Sequence, residues 1–154
     1  MKTNAVRILE SNNIAHSTEE YEFNEDEIDA LSVANKVGAD PEKVFKTLVA
    51  RNEKNELFVF VIPAIFELNL KKAAAASSNK KIEMIKVKEL QPLTGYIRGG
   101  CSPIGMKKLF PTLIDETAQL HDRILVSAGV RGMQLKLSPV DLAKIVEAGF
   151  ADLV

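Results

Sequence analysis

Few side chains in this sequence are equipped to break a bond. Its 154 residues hold two histidines, His16 and His121, and one cysteine, Cys101. No CxxC, HxxxH or HExxH pattern occurs, so the donors of a zinc site are missing. Gly-x-x-x-x-Gly-Lys-Ser/Thr, GxGxxG and GxSxG are absent too. Those absences argue against a phosphate-cradling P-loop, a dinucleotide fingerprint and a nucleophile elbow. Cys101 and His121 remain as a thiol–imidazole pair for nucleophilic chemistry, should the fold bring them together. The plainer reading makes Cys101 a small apolar filler.

Three further places carry chemistry of another kind. Lys46 interrupts the apolar run Val44-Phe45-Lys46-Thr47-Leu48-Val49. A lysine there is either an edge residue whose head reaches water or a fixed cation in a cleft. The segment Gly99-Gly100-Cys101-Ser102-Pro103-Ile104-Gly105 can present backbone N–H groups to an oxyanion or phosphate, or can be a tight turn. Ser127-Ala128-Gly129-Val130-Arg131-Gly132 offers the same pair of readings.

Charge separates along the chain although the total is only −1. Residues 1–30 hold two basic and eight acidic side chains, whereas residues 71–108 hold nine basic and two acidic. Lysines commonly form a solvated face, yet a basic segment bordering the glycine loop attracts a polyanion in a salt-dependent way. Nine aromatic residues without Trp give poor support for a base-stacking platform.

The elements that must position these groups follow from periodicity and turn residues. A length of 154 residues with 46% apolar and 27% charged side chains fits a single globular domain over 1–154. Helices are predicted over 3–12, 28–37, 67–76 and from Ser138 to Gly149; the last has Ser138 as cap and Pro139 at its first position. Strands are predicted over 16–21, 46–50, 57–62, 82–87, 112–115, 124–127 and 133–137. Short strands interleaved with helices predict an α+β (mixed α/β) domain with a mixed, strongly curved sheet. One cysteine points to a reducing compartment. With no signal-like start and no apolar run near 20 residues, the expected location is cytoplasmic.

The pieces Val44-Phe45-Lys46-Thr47-Leu48, Val61-Ile62-Pro63-Ala64, Lys80-Lys81-Ile82-Glu83-Met84, 94–105 and 126–132, in this order, resemble the YbaK/EbsC family of aminoacyl-tRNA deacylases. The resemblance runs over nearly the whole chain. It implies a barrel-like mixed β-sheet flanked by helices, and hydrolysis of the ester between an amino acid and tRNA, chiefly cysteine wrongly attached to tRNA(Pro). It implies tRNA and, transiently, prolyl-tRNA synthetase as partners, with no metal or organic cofactor. By position, Lys46 matches the family's essential lysine. Gly99 matches the glycine whose backbone lies against the substrate carbonyl or terminal ribose, and Gly100 adjoins it in the same motif. Ser127 and Gly129 match pocket residues, and Tyr21 a pocket-edge tyrosine.

Two departures stand out. The segment between Tyr21 and Gly38 is one residue shorter than the family's and lacks its aromatic, leaving Leu31 or Ile28 as stand-ins. Gln134 falls where an aspartate is expected. Three competing readings are a binding module that holds tRNA or a synthetase without catalysis, a deacylase of another mischarged tRNA that uses a positioned water, and a cell-surface regulatory factor. Retention of Lys46 favours the enzyme over the module. The absence of a signal-like start counts against the surface role.

Overall fold

The computed structural model describes residues 2–24, 26 and 29–154. Helix α1 (Asn4–Ser11) starts where the Thr3 hydroxyl accepts the Val6 N–H. Strand β1 (His16–Glu20) leads through an irregular stretch to α2 (Ala30–Val37), capped by Asp29. Ile28, predicted to begin that helix, lies outside the described residues. A 3₁₀ turn at Pro41–Lys43 feeds β2 (Phe45–Asn52), which turns back as β3 (Leu57–Pro63). Helix α3 (Leu70–Ala76) begins three residues later than predicted, because the Asn69 side chain accepts the N–H groups of Lys71 and Lys72.

The next segment departs from expectation. The strand predicted over 82–87 is only β4 (Ile82–Met84), and the chain then forms an unpredicted helix, α4 (Val87–Thr94). The Glu89 carboxylate accepts the Lys86 N–H, which secures the first turn despite β-branched Val87 and a proline at 92. Strands β5 (Thr112–Asp115), β6 (Ile124–Ser127) and β7 (Met133–Leu137) agree with expectation. Helix α5 (Pro139–Ile145) stops before Gly149, which instead opens a short strand, β8 (Gly149–Ala151).

The strands form two sheets. One has the order β1-β7-β6 and is antiparallel; the other has the order β4-β2-β3-β5-β8 and is mixed, with β5 and β8 parallel to their neighbours. The sheets meet at a parallel bridge between Val44 and Leu125 but do not close, so the expected barrel-like sheet is an open pair. Closure fails along β2: β4 covers only Ala50–Asn52 before the chain leaves for α4.

Side-chain alternation along β2 and β3 gives the mixed sheet two buried faces. Phe45, Val49 and Val61 pack with α1, β6 and β7, while Ala50, Phe60 and Ile62 pack with α3 and Leu153. Complete burial of a valine, isoleucine or phenylalanine among these stabilises by about 1.5–3 kcal/mol. Lys46 lies on β2 opposite Ile62, is half-buried, and lines a cavity. No helix of the described residues is long and apolar enough to cross a membrane.

Candidate active site at an open sheet edge

The uncovered part of β2 borders a cavity of about 420 Å³. Lys46, Thr47 and Leu48 form one wall, and Ile85, Lys86 and Val87 at the start of α4 form another. Gly99 and Cys101 of the glycine loop, with Ser127 and Gln134 of the three-stranded sheet, close the inner side. Asp29 and Val33 reach it from α2. The Arg51 guanidinium binds the Glu89 carboxylate at 2.5 Å, and Glu89 also holds the Lys86 N–H. Those two contacts fix the mouth of α4 against β2.

The residues singled out by sequence divide into two groups. Lys46, Gly99 and Ser127 line the cavity together. Gly100 and Gly129 stand behind it: Gly100 backs onto the Val130–Arg131 backbone and Gly129 onto Tyr96. Tyr21 lines a separate, shallower groove with Phe23 and Arg131. Leu31, a stand-in for the missing aromatic, is 54% exposed, and Val33 is the α2 residue that lines the cavity; Ile28 lies outside the described residues.

Burial lowers the Lys46 pKa from its ordinary value, and the carboxylate of Glu67 opposes that shift. The Cys101 thiol is buried, which pushes its pKa up to about 12 against a smaller lowering by its contact with Thr94. His121 follows the 3₁₀ turn at 116–120 and, unlike Cys101, does not line the cavity. Asp29 is the one carboxylate among the described lining residues. Its oxygens accept the Ser32 N–H and hydroxyl, which hold its pKa below the usual value. The Ser127 hydroxyl oxygen accepts the Gly129 N–H at 3.1 Å. Two buried acceptors on the cavity wall, Thr47 Oγ1 and Gln134 Oε1, have no hydrogen-bond partner.

Cations dominate the rim. Lys86 and Arg98 line the cavity and are exposed. Lys72, by contrast, is tied to Asp152 and to the Val154 carbonyl. No group of three or more metal-ligating side chains clusters among the described residues. The geometry thus offers hydrogen-bond donors, a half-buried cation and a cationic rim, and among the described lining residues Asp29 is the only carboxylate.

The sequence profile of the aminoacyl-tRNA editing domain matches residues 25–145, and the chain belongs to that family. A protein of Enterococcus faecalis that carries the provisional name Cys-tRNA(Pro)/Cys-tRNA(Cys) deacylase EbsC is 48% identical over 152 residues, covering 99% of this chain and 93% of its own. Among solved structures, one provisionally described as a trans-editing enzyme for prolyl tRNA synthetase superposes with a TM-score of 0.81 at 23% identity, covering 99% of this chain and 98% of its own. Hypothetical protein APE2540 gives a TM-score of 0.87 at 18% identity, covering 96% of each chain. At those identities the two structures establish the shared fold.

Proposed function

We propose that this protein is a trans-acting aminoacyl-tRNA deacylase that removes cysteine from mischarged tRNA(Pro), using the thiol of the substrate as the nucleophile. The observation that carries the reading is the cavity's inventory. It has donors and a cation, but its carboxylate is committed to a helix cap and its thiol is held protonated. Ester cleavage then needs an attacking group from elsewhere.

The cysteinyl ester supplies one. Its Sγ attacks its own carbonyl carbon, the bond to the tRNA 3′-terminal oxygen breaks, and the thiol proton ends on that oxygen. The products are cysteine thiolactone and free tRNA; water opens the thiolactone afterwards. Lys46 and the Gly99 loop amide serve as donors that orient the ester and stabilise the developing oxyanion. Alignment of an intramolecular attack can account for about 7–11 kcal/mol of barrier. The rim cations favour the phosphates of the tRNA end. Prolyl-tRNA synthetase is the proposed transient partner, because it produces the mischarged species.

The test is to incubate the purified protein with a panel of mischarged tRNAs and follow ester loss. Selective cleavage of cysteinyl-tRNA(Pro) supports the reading. Binding of tRNA with every ester intact contradicts it and leaves a non-catalytic module.

A further inference from the structure

The open edge of β2 has a hydrogen-bonding direction that can be worked out. The Ala64 N–H donates to the Val44 carbonyl at 2.8 Å, and Val44 stands opposite Ala64 when the β2–β3 register is extended. Even-numbered residues of β2 therefore point their backbone groups toward β3. Odd-numbered residues point the other way, and the Ile85 N–H accordingly donates to the Val49 carbonyl. Thr47 is the next odd residue along the strand. Its N–H and C=O point past the end of β4, where Ile85, Lys86 and Val87 turn away and the cavity opens. Among the described residues no backbone group pairs with Thr47 on that side. The Thr47 hydroxyl on this wall and the Oε1 of Gln134 on the cavity's inner side, a residue only 5% exposed, are buried acceptors without partners.

An unpaired N–H and C=O from one strand residue, side by side, form half of a narrow antiparallel pair. The complement is one α-amino acid unit, with an amine donor and a carbonyl acceptor on either side of its Cα. An aminoacyl ester is such a unit. We propose that the aminoacyl group docks on β2 as a one-residue antiparallel partner of Thr47: the Thr47 N–H donates to the ester carbonyl, and the α-ammonium donates to the Thr47 C=O. Thr47 Oγ1 and Gln134 Oε1 are the acceptors for the remaining ammonium protons. Buried polar atoms left unpaired are costly, so their concentration here is accounted for by a ligand that pairs them. The carbonyl contact places a backbone donor where negative charge develops, and the ammonium contact reads the feature common to all aminoacyl groups. Specificity for the side chain is left to the rest of the cavity.

This inference rests on the deacylase reading, and two measurements separate them. The first uses the unaltered protein with cysteinyl-tRNA and 3-mercaptopropionyl-tRNA, which keeps the thiol and ester but lacks the α-amino group. The expected result is a loss of about 10-fold or more in kcat/KM for the des-amino substrate beyond the difference between the two esters' uncatalysed cleavage rates, since a charge-assisted hydrogen bond is lost. The second replaces Thr47 by its α-hydroxy acid analogue, which exchanges only the backbone N–H for oxygen. A variant that unfolds cooperatively should lose about 10²-fold in kcat on cysteinyl-tRNA, as when one oxyanion donor is removed. If cysteinyl-tRNA is cleaved by the natural protein yet des-amino substrate reacts equally fast after the same allowance, the pairing with Thr47 is overturned while the deacylase reading stands. A folded backbone-ester variant with full activity overturns it in the same way. Failure of the natural protein to cleave any aminoacyl-tRNA overturns both.

Discussion

The ring of Tyr96 occupies the space that a side chain at position 129 would need. Tyr96 Cε1 lies 2.9 Å from where a Cβ on Gly129 would stand, and the Tyr96 hydroxyl lies 2.9 Å from the corresponding point at Gly105. The hydroxyl donates to the Ile104 carbonyl. Tyr96 thereby clamps the glycine loop, which carries Gly99, against the turn after Ser127. Burial, with the nearby Cys101 as a smaller contributor, pushes the Tyr96 pKa up to about 12, so it remains a donor across the working pH range.

Gly129→Ala should therefore destabilise the fold by about 2–4 kcal/mol, combining strain at φ +106° with overpacking against Tyr96. Tyr96→Phe should cost about 1–2 kcal/mol through the unpaired Ile104 carbonyl. Denaturant midpoints check both. A stable Gly129→Ala protein would show that the clamp yields easily.

Lys46→Ala should lower kcat/KM by about 10²-fold or more while leaving a folded protein, if the ammonium orients the ester as proposed. Near-normal turnover by a folded variant would make Lys46 structural. Its titration gives a second check. Burial lowers the folded-state pKa below 10.5, so between the two values the unfolded chain binds more protons and stability rises with pH. Lys46→Met should accordingly be more stable than the natural protein at neutral pH, with the difference shrinking as pH rises through the lowered pKa toward 10.5. Thermal unfolding at stepped pH measures it.

Cys101 should behave as a filler. With its thiol pKa raised to about 12, iodoacetamide should label it far more slowly in the folded protein than in denaturant at pH 8. Between the unfolded value near 9 and about 12 the folded state holds the extra proton, so this group's contribution to stability falls as pH rises above 9. Cys101→Ala should keep substantial activity. A folded but inactive variant would restore the thiol as nucleophile.

Lys86→Glu and Arg98→Glu should raise KM more than they lower kcat. Each should reduce the log–log salt slope of binding by up to about one. Lys80 and Lys81 belong to the same basic stretch but do not line the cavity, and Lys81 pairs with Glu83. Their reversal should have a smaller effect. Salt-independent kinetics would remove the polyanion from this face.

Much of the frame was legible because apolar alternation and turn residues mark it. The strands at 57–63, 112–115, 124–127 and 133–137 lie within a residue of their predicted ends. Helix α4 was hidden because Ile82, Ile85 and Val87 read as one β-branched run, while its first turn depends on a side chain reaching back from Glu89. β8 was hidden because three residues carry no periodicity; it exists only by pairing with β5. At the site, Lys46 was visible as a charge in an apolar run. Thr47 was not, since its interest lies in backbone direction at a strand edge, which depends on where β4 stops. The grouping of Gly99 with Gly129 by motif was half informative: one borders the cavity, and the other makes room for Tyr96.

The central claim is that the substrate provides the attacking atom. The direct measurement is the single-turnover cleavage rate of cysteinyl-tRNA(Pro) and alanyl-tRNA(Pro) at saturating protein, with the first product trapped. The account predicts rapid loss of the cysteinyl ester with cysteine thiolactone appearing first, and alanyl ester cleavage slower by orders of magnitude. Alanyl-tRNA cleaved as fast as cysteinyl-tRNA, with the free amino acid as first product, would contradict it and assign the attack to a water held by the protein.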